Sequence, residues 1–543
     1  MSADLLGWTV GDLLTTRSRE QGERCFVEIV GEGRHSFAQV AQASRRIASA
    51  LQAQGLRHGD TVAVMVANGI EAIESWLGAN LLGAIDVTLN TGYRGAPLVH
   101  ALNQAQARHL IVGAEFLGAL QAVESELWHL QSVWIVGTQA TPPVLPARWQ
   151  LAEFARVVDA ARPDVELPAV TGRDIASVIY TSGTSGPAKG VMLPHAQVVL
   201  LARQTAEKLR IGASDIYYSF HPLYHMAGKF MQVLACLHAG ATLVLDRAFS
   251  ARDWLQRVRD SGATLSGTHG PMMEMIFAEP ATPHDRDHRL RAICTAPFPR
   301  HIAAAFEQRF GLRGVEVWGM TEVGIPLWIS LDEPLREGSC GKVDARWFEF
   351  AVLDPDTDMP LAPGEVGEFA VRPRHPWTLM QGYMGMPERT VQAWRNFWFH
   401  TGDLGRVDAD GYAYFVDRVS DRIRRRAENV SAYDIEVAAL AHASVAEAAA
   451  VGAPSEFAGD DDIRLCVVLK PGQAPAPEDL LRHLAQRLPH FMVPRYIECL
   501  AELPRSATHK VQRAALKRRP LDAPEVWDRK AHGVVLRDMV ERT

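Results

Sequence analysis

Apolar residues recur along the first third of the chain in two alternating rhythms. Short unbroken apolar runs of strand length alternate with longer stretches of helical spacing that end at glycine. Ala41 to Gln54 carries one helical pattern, closed by Gly55 as a natural C-cap, and Ile70 to Leu82 carries another, ending at Gly83. Asp60 to Val66, Ala84 to Leu89 and Arg108 to Val112 read as strands, with a turn at Asn90 to Arg94. This alternation predicts an α/β fold with substantially parallel sheet. The pattern loosens into surface connection at Thr141-Pro142-Pro143 and Arg162-Pro163-Asp164.

Ile175 to Ile179 then reads as a buried strand, and a helical pattern follows Met192-Leu193-Pro194-His195. Phe230 to Leu237 predicts a helix and Ala241 to Leu245 a strand. From Gly364 the texture changes to shorter strands and frequent turns, with a hairpin-like Asp408 to Tyr412. A boundary falls at Asp417 to Asp421. Beyond it, Ser431 is an N-cap candidate, and strands near Ala448 to Val451 and Leu465 to Leu469 predict a small α+β unit.

Composition narrows the class. With 543 residues, 47% hydrophobic and 22% charged, the chain is long enough for large buried cores of an ordinary globular protein. The net charge of −7 comes from interspersed acids and bases, so no nucleic-acid partner is expected. Six scattered cysteines without a C-x-x-C pair suit a reducing cytoplasm and neither a zinc site nor a disulfide framework. Met1 to Leu6 lacks the regions of a signal peptide, and no apolar run reaches the roughly 18 residues of a membrane span.

The candidate chemistry centres on Tyr180-Thr181-Ser182-Gly183-Thr184-Ser185-Gly186-Pro187-Ala188-Lys189-Gly190. Glycines let backbone N–H groups turn toward a ligand, hydroxyls add donors and the lysine adds charge, so this stretch reads as a phosphate cradle. It is not a Walker loop, because Ala188 and Gly190 stand where a glycine and a magnesium-binding hydroxyl belong. A flexible Gly/Ser linker is the competing reading, and its direct start from an apolar strand argues against it.

Further segments gather similar residues. Phe220 to Lys229 contains His225, Met226, Gly228 and Lys229, and Gly267 to Met273 contains His269, Gly270 and Met272. Both read either as walls of a substrate pocket or as packed core. In Trp318-Gly319-Met320-Thr321-Glu322 a strand end offers an aromatic face for a planar base and a carboxylate oxygen for Mg²⁺. Asp403, following a glycine, is suited to two ribose hydroxyls, or is a solvated turn carboxylate. The basic run Arg422 to Arg426 and the loop Leu503 to Gln512, bearing Lys510, complete the set.

Together, in this order and spacing, these segments resemble the adenylate-forming superfamily of acyl-CoA synthetases, peptide-synthetase adenylation domains and luciferases. The flavour is that of bacterial crotonobetaine/carnitine-CoA ligases, through Trp377 to Tyr383, Met386-Pro387-Glu388, Phe415 to Arg418 and Val526 to Lys530. The resemblance implies a large N-terminal domain, residues 1–417, of layered α/β sheets with a small β-barrel-like subdomain. A hinge at 418–420 and a mobile α+β C-terminal domain, residues 421–543, follow.

It also implies an AMP-forming ligase: ATP and a carboxylate give an acyl-adenylate and pyrophosphate, and coenzyme A then displaces AMP. Thr181 to Lys189 match the phosphate loop. Ala296, Pro297, Trp318, Gly319 and Met320 match the nucleotide site, Thr321 and Glu322 the Mg²⁺-linked pair, and Asp403 and Arg418 the ribose site. Lys510 matches the adenylation lysine, Ser420 the hinge, and Arg424, Ala427 and Glu428 the pantetheine tunnel.

Several residues depart from the pattern. Ala427 replaces a glycine, His509 stands beside Lys510, Cys294-Thr295 replaces a glycine pair, and Lys229 offers a cation for an anionic substrate. A narrowed tunnel keeps an alternative in play, in which nitrite is adenylated and an aromatic amine diazotised. A regulatory protein with a decayed site is disfavoured by the intact lysines and Glu322.

Overall fold

The computed structural model describes residues 5–141, 143–181, 188–418, 423–425, 428–430, 432–455, 461–488, 492–505, 511–534 and 536. By packing, the chain divides into two units, Met1–Phe350 with Val371–Phe399, and Ala351–Ala370 with His400–Thr543. The expected hinge at 418–420 falls inside the second unit, and Val419 and Ser420 lie outside the described residues.

The first unit holds two large sheets among its described residues. One has eight strands in the order Gly382–Tyr383, Lys189–Pro194, Ile175–Thr181, Ile85–Thr88, Thr61–Met65, His109–Gly113, Ser132–Val136 and Gln150–Glu153. The last five pair in parallel, as the helix–strand alternation predicts. The other sheet has nine strands, and its centre runs in parallel through Cys25–Ile29, Thr242–Leu245, Ile216–Ser219, Leu265–His269, Ala292–Ala296 and Arg313–Met320. The helix His195–Lys208 touches strands of both sheets, which is why it is buried almost all round. A separate sheet contains Phe348–Leu353, Gly367–Pro373, Trp394–Arg395, Trp398–Val407 and Ala413–Arg418.

Element positions follow local chemistry. Ile70–Leu81 ends just before Gly83 at φ +70°, as its sequence predicts. The helix expected from Ala41 begins earlier, at Phe37, because Ser36 and Gln39 form a reciprocal capping box. Such a cap contributes about 1 kcal/mol. The helix expected over Phe230 to Leu237 is a π-helical stretch, Ala227–Leu234, continued by the α-helix Ala235–Ala239.

The second unit contains a four-stranded sheet, Val445–Pro454, Asp461–Leu469, Tyr496–Cys499 and Val526–Asp528, with helices Ala432–Leu440 and Pro477–Ala485. Ile423, Ile435, Leu465, Leu480 and Leu484 share its core. Ser431, the expected N-cap, lies outside the described residues.

Candidate active site

The loop-bearing strand and its return form an antiparallel pair that closes at Thr181 opposite Lys189. Ser182, Gly183, Thr184, Ser185 and Gly186 lie outside the described residues, so the loop is seen through its two anchors. Tyr383 pairs with Val191, which shares a strand face with Lys189. That register brings the Lys189 ammonium over the Tyr383 ring, 4.3 Å from its centroid, and lets it donate to the Tyr383 hydroxyl at 3.1 Å.

The same hydroxyl donates to Glu322 Oε1 at 2.9 Å. Glu322 and Thr321 occupy the turn between Arg313–Met320 and Gly324–Trp328, and both are buried. Their backbone is fixed from two sides: Gln197 Nε2 donates to both carbonyls, at 3.3 and 3.1 Å, and the Met380 N–H donates to that of Glu322 at 2.9 Å. Gly319 is needed for closure of this turn, because a Cβ there would lie 2.0 Å from the Gly324 carbonyl. Trp318 is buried, edge to face with Phe350 at 5.9 Å between centroids. Burial and the neighbouring Glu322 hold the Tyr383 phenol well above its ordinary range, so it is a neutral donor.

Ala296 ends the strand Ala292–Ala296, and Pro297 follows it against Gly270, whose Cβ would lie 3.3 Å from the Pro297 ring. Cys294 is buried and its thiol is pushed up to about 12 by burial, so it stays neutral.

The expected pocket wall separates into three environments. His225 and His269 are half-buried, with ring centroids 5.5 Å apart, and His221 meets His269 at 4.7 Å. Met272 and Met273 belong to an apolar core with Trp254 and Phe306, the packing alternative for those residues. Met226 is buried, and Gly228 sits where a Cβ would approach the Pro222 carbonyl to 2.7 Å.

Lys229 differs from its expected place. It is 1% exposed, and its ammonium is ion-paired with Asp86 and donates to Thr88 Oγ1 at 2.6 Å and Ser177 Oγ at 3.2 Å. Trp76 covers it at 4.7 Å. Its charge is thus already matched inside the fold, where the sequence suggested a cation facing a substrate. Burial pulls its pKa below the usual lysine value, with Asp86 opposing.

In the second unit, Asp403 is buried in the strand Trp398–Val407, and its N–H donates to Thr401 Oγ1 at 3.1 Å. Glu368 fixes the preceding segment: Oε1 accepts the Gly402 N–H at 2.9 Å, and Oε2 accepts from His400 Nδ1 at 2.8 Å. The backbone register pairs Asp403 with Arg418. Arg424 and Glu428 lie in a short hairpin, Ile423–Arg425 with Glu428–Val430. Ala427, Ser420 and Lys510 lie outside the described residues.

Tyr383, Glu368 and the Asp86 partner of Lys229 are not singled out by the sequence. For Asp86 a signal exists, an acid inside the apolar run Ala84 to Leu89. For Tyr383 the partners are 61 and 194 residues away, and no local pattern encodes them.

Both halves match models of known families: an AMP-binding enzyme model over residues 14–384 and an AMP-binding enzyme C-terminal domain model over 434–510. A crotonobetaine/carnitine–CoA ligase of Salmonella typhi is 30% identical over 493 residues, covering 89% of this chain and 93% of that protein. The solved anthranilate CoA ligase in complex with anthranoyl-AMP superposes with a TM-score of 0.85 at 25% identity, covering 95% of this chain and 97% of its own. O-succinylbenzoate coenzyme A synthetase from Bacillus subtilis, in complex with AMP, gives a TM-score of 0.80 at 25% identity, covering 93% and 98%. The chain belongs to the AMP-binding enzyme family, and it is an AMP-forming ligase.

Proposed function

We propose that the chain is an acid–CoA ligase that activates a small or medium carboxylate with ATP and transfers the acyl group to coenzyme A. The observation that carries this reading is the placement of Lys189 and Glu322 on one Tyr383 hydroxyl, at the foot of the glycine-rich loop. Relatives that are CoA ligases along nearly the whole chain support the acceptor. They do not point to nitrite and an aromatic amine.

The reaction joins two anions. A carboxylate oxygen attacks the α-phosphorus of ATP and the bond to pyrophosphate breaks. The thiol of coenzyme A then attacks the acyl carbon, loses its proton, and AMP departs. The first step needs cations at the phosphates, and Lys189 with Lys510 supplies them from this chain. Trp318 offers a face to the adenine, while Asp403 with Arg418 serves the ribose. Arg424, Ala427 and Glu428 line the path of the thiol, and movement about Ser420 exchanges the two half-reactions.

Thr321 and Glu322 present only oxygen donors. Among the described residues no cluster of three or more His, Cys, Asp or Glu could hold a metal alone. Thr321 and Glu322 would hold Mg²⁺ through oxygen, Glu322 supplying the carboxylate. Bound there, it would supply positive charge against the phosphates. No helix of the described residues is long and apolar enough to cross a membrane. Six scattered cysteines suit a reducing compartment, and we place the reaction in the cytoplasm.

The test is product analysis. The full chain with ATP, Mg²⁺, coenzyme A and a panel of carboxylic acids is expected to yield AMP and an acyl thioester by mass spectrometry. AMP release without thioester for every acid would sink the coenzyme A step, and no acid-dependent AMP release would sink the whole reading.

A further inference from the structure

The His221 imidazole is 1% exposed, and its Nε2 is buried with no hydrogen-bond partner. Its other nitrogen is engaged. The Ser219 hydroxyl donates to Gln232 Oε1, which turns the Gln232 amide N–H toward His221 Nδ1 at 3.0 Å. A neutral imidazole that accepts at Nδ1 carries its proton at Nε2. Neutrality follows from the surroundings: burial, then the neighbouring His269 and His225, hold its pKa well below the ordinary value. His221 is therefore an oriented N–H donor without an acceptor, and leaving such a buried group unmet is unfavourable.

The surroundings keep this geometry. Gln232 sits on the π-helical stretch Ala227–Leu234, and such helices recur at functional sites. Gly267 leaves room for it, because a Cβ there would lie 2.5 Å from Gln232 Nε2 and 3.0 Å from the Tyr217 hydroxyl. His269 shares the strand face of Gly267, and its ring lies edge to face with both His221, at 4.7 Å between centroids, and His225, at 5.5 Å. His221 is thus the most deeply buried of three clustered imidazoles, His225 and His269 of the candidate acyl wall being half-buried.

We propose that His221 is a specificity residue whose Nε2–H binds an acceptor atom inside the acyl group. The preferred acid then carries an interior oxygen or nitrogen, as in oxo, hydroxy or heteroaromatic acids, and is not a plain hydrocarbon acid. This rests on the acid-activating reading above and on residues 221–229 and 267–272 forming the acyl wall.

The experiment compares size-matched acids, such as 5-oxohexanoate with hexanoate and hydroxybenzoates with benzoate. Acid-dependent pyrophosphate exchange is measured with the full-length protein. A site built around a buried donor discriminates strongly, and a preference of about 10²-fold or more in kcat/KM is expected for at least one acceptor-bearing acid. His221→Phe should bring that ratio toward one, and His221→Gln, which keeps an N–H donor, should restore part of it. The ratio within one protein cancels any loss of folded enzyme. Exchange with ratios near one for every pair would overturn the His221 assignment while leaving acid activation standing, as would a ratio unchanged by His221→Phe. Exchange with no acid would overturn both. In ¹⁵N spectra of the free protein His221 should carry its proton on Nε2, and a proton on Nδ1 would also overturn the assignment.

Discussion

The Tyr383 hydroxyl donates to Glu322 Oε1 at 2.9 Å while accepting from Lys189 Nζ at 3.1 Å. One neutral phenol thereby holds the loop lysine and the turn carboxylate at a common point, so that neither is loose before nucleotide arrives. Tyr383→Phe keeps the ring under Lys189 and removes only this bridge. Hydrogen bonds to charged groups contribute about 1.5–3 kcal/mol, which converts to roughly 10- to 10²-fold in rate. Pyrophosphate exchange should fall by that range, and exchange equal to wild type would show that the bridge has no part in adenylation.

Lys510 is expected to supply the second cation of the clamp. Removing one preorganised stabilising group typically lowers turnover by about 10²–10³. Lys510→Ala should reduce adenylate formation by a comparable factor. Thioester formation from chemically supplied acyl-adenylate should be much less affected, which separates a role in the first step from general damage.

Lys229 and Asp86 make a prediction about stability. Both are buried, and the carboxylate also accepts from Ser177 at 2.6 Å and Thr88 at 2.7 Å. Breaking such a pair strands one charge and costs about 3–5 kcal/mol, whereas replacing both partners with apolar residues is often neutral. Lys229→Met should lower the denaturation midpoint sharply, and Lys229→Met with Asp86→Val should recover most of the loss. Equal losses in the single and double variants would mean that the pair is not what holds the two segments.

These residues show which parts of the molecule were legible in the sequence. Strands such as Thr61–Met65 and helix ends such as Gly83 depend on local pattern and backbone preference, so a reader of the chain finds them. The strand that leads into the glycine-rich loop, Ile175–Thr181, was equally visible as an apolar run. Lys229 was misread because its partner lies 143 residues away, and a lysine near glycine and histidine looks like a ligand group until that partner is seen. The π-helical stretch and the Ser36–Gln39 cap escaped for a different reason. The first shares its apolar spacing with an α-helix, and the second sits outside the amphipathic run.

The positioning of Asp403 is expected to depend on Glu368. Its two oxygens accept from the Gly402 N–H and from His400 Nδ1, and so fix the backbone just before Asp403. Glu368→Gln removes the charge and replaces one acceptor with an amide donor. KM for ATP should rise about tenfold, the equivalent of 1.4 kcal/mol, with a smaller change in kcat. A fall in kcat at unchanged KM would place Glu368 outside nucleotide binding.

Glu316 gives the fold a pH dependence of definite sign. Burial pushes its carboxyl to about 8 from 4.5, and the Phe298 backbone hydrogen bond and the charge of Arg300 oppose this only in part. Between those two values the folded protein keeps a proton that the unfolded chain releases. The folded state binds more protons there, so unfolding free energy falls as pH rises through the window and levels off above it. The slope from this one group reaches up to about 1.4 kcal/mol per pH unit. Glu316→Gln is neutral at every pH and removes the effect, so the variant should gain stability relative to wild type as pH increases. Denaturant midpoints measured across the window should diverge in that direction, and parallel curves would show that Glu316 ionises in the fold as readily as in the unfolded chain.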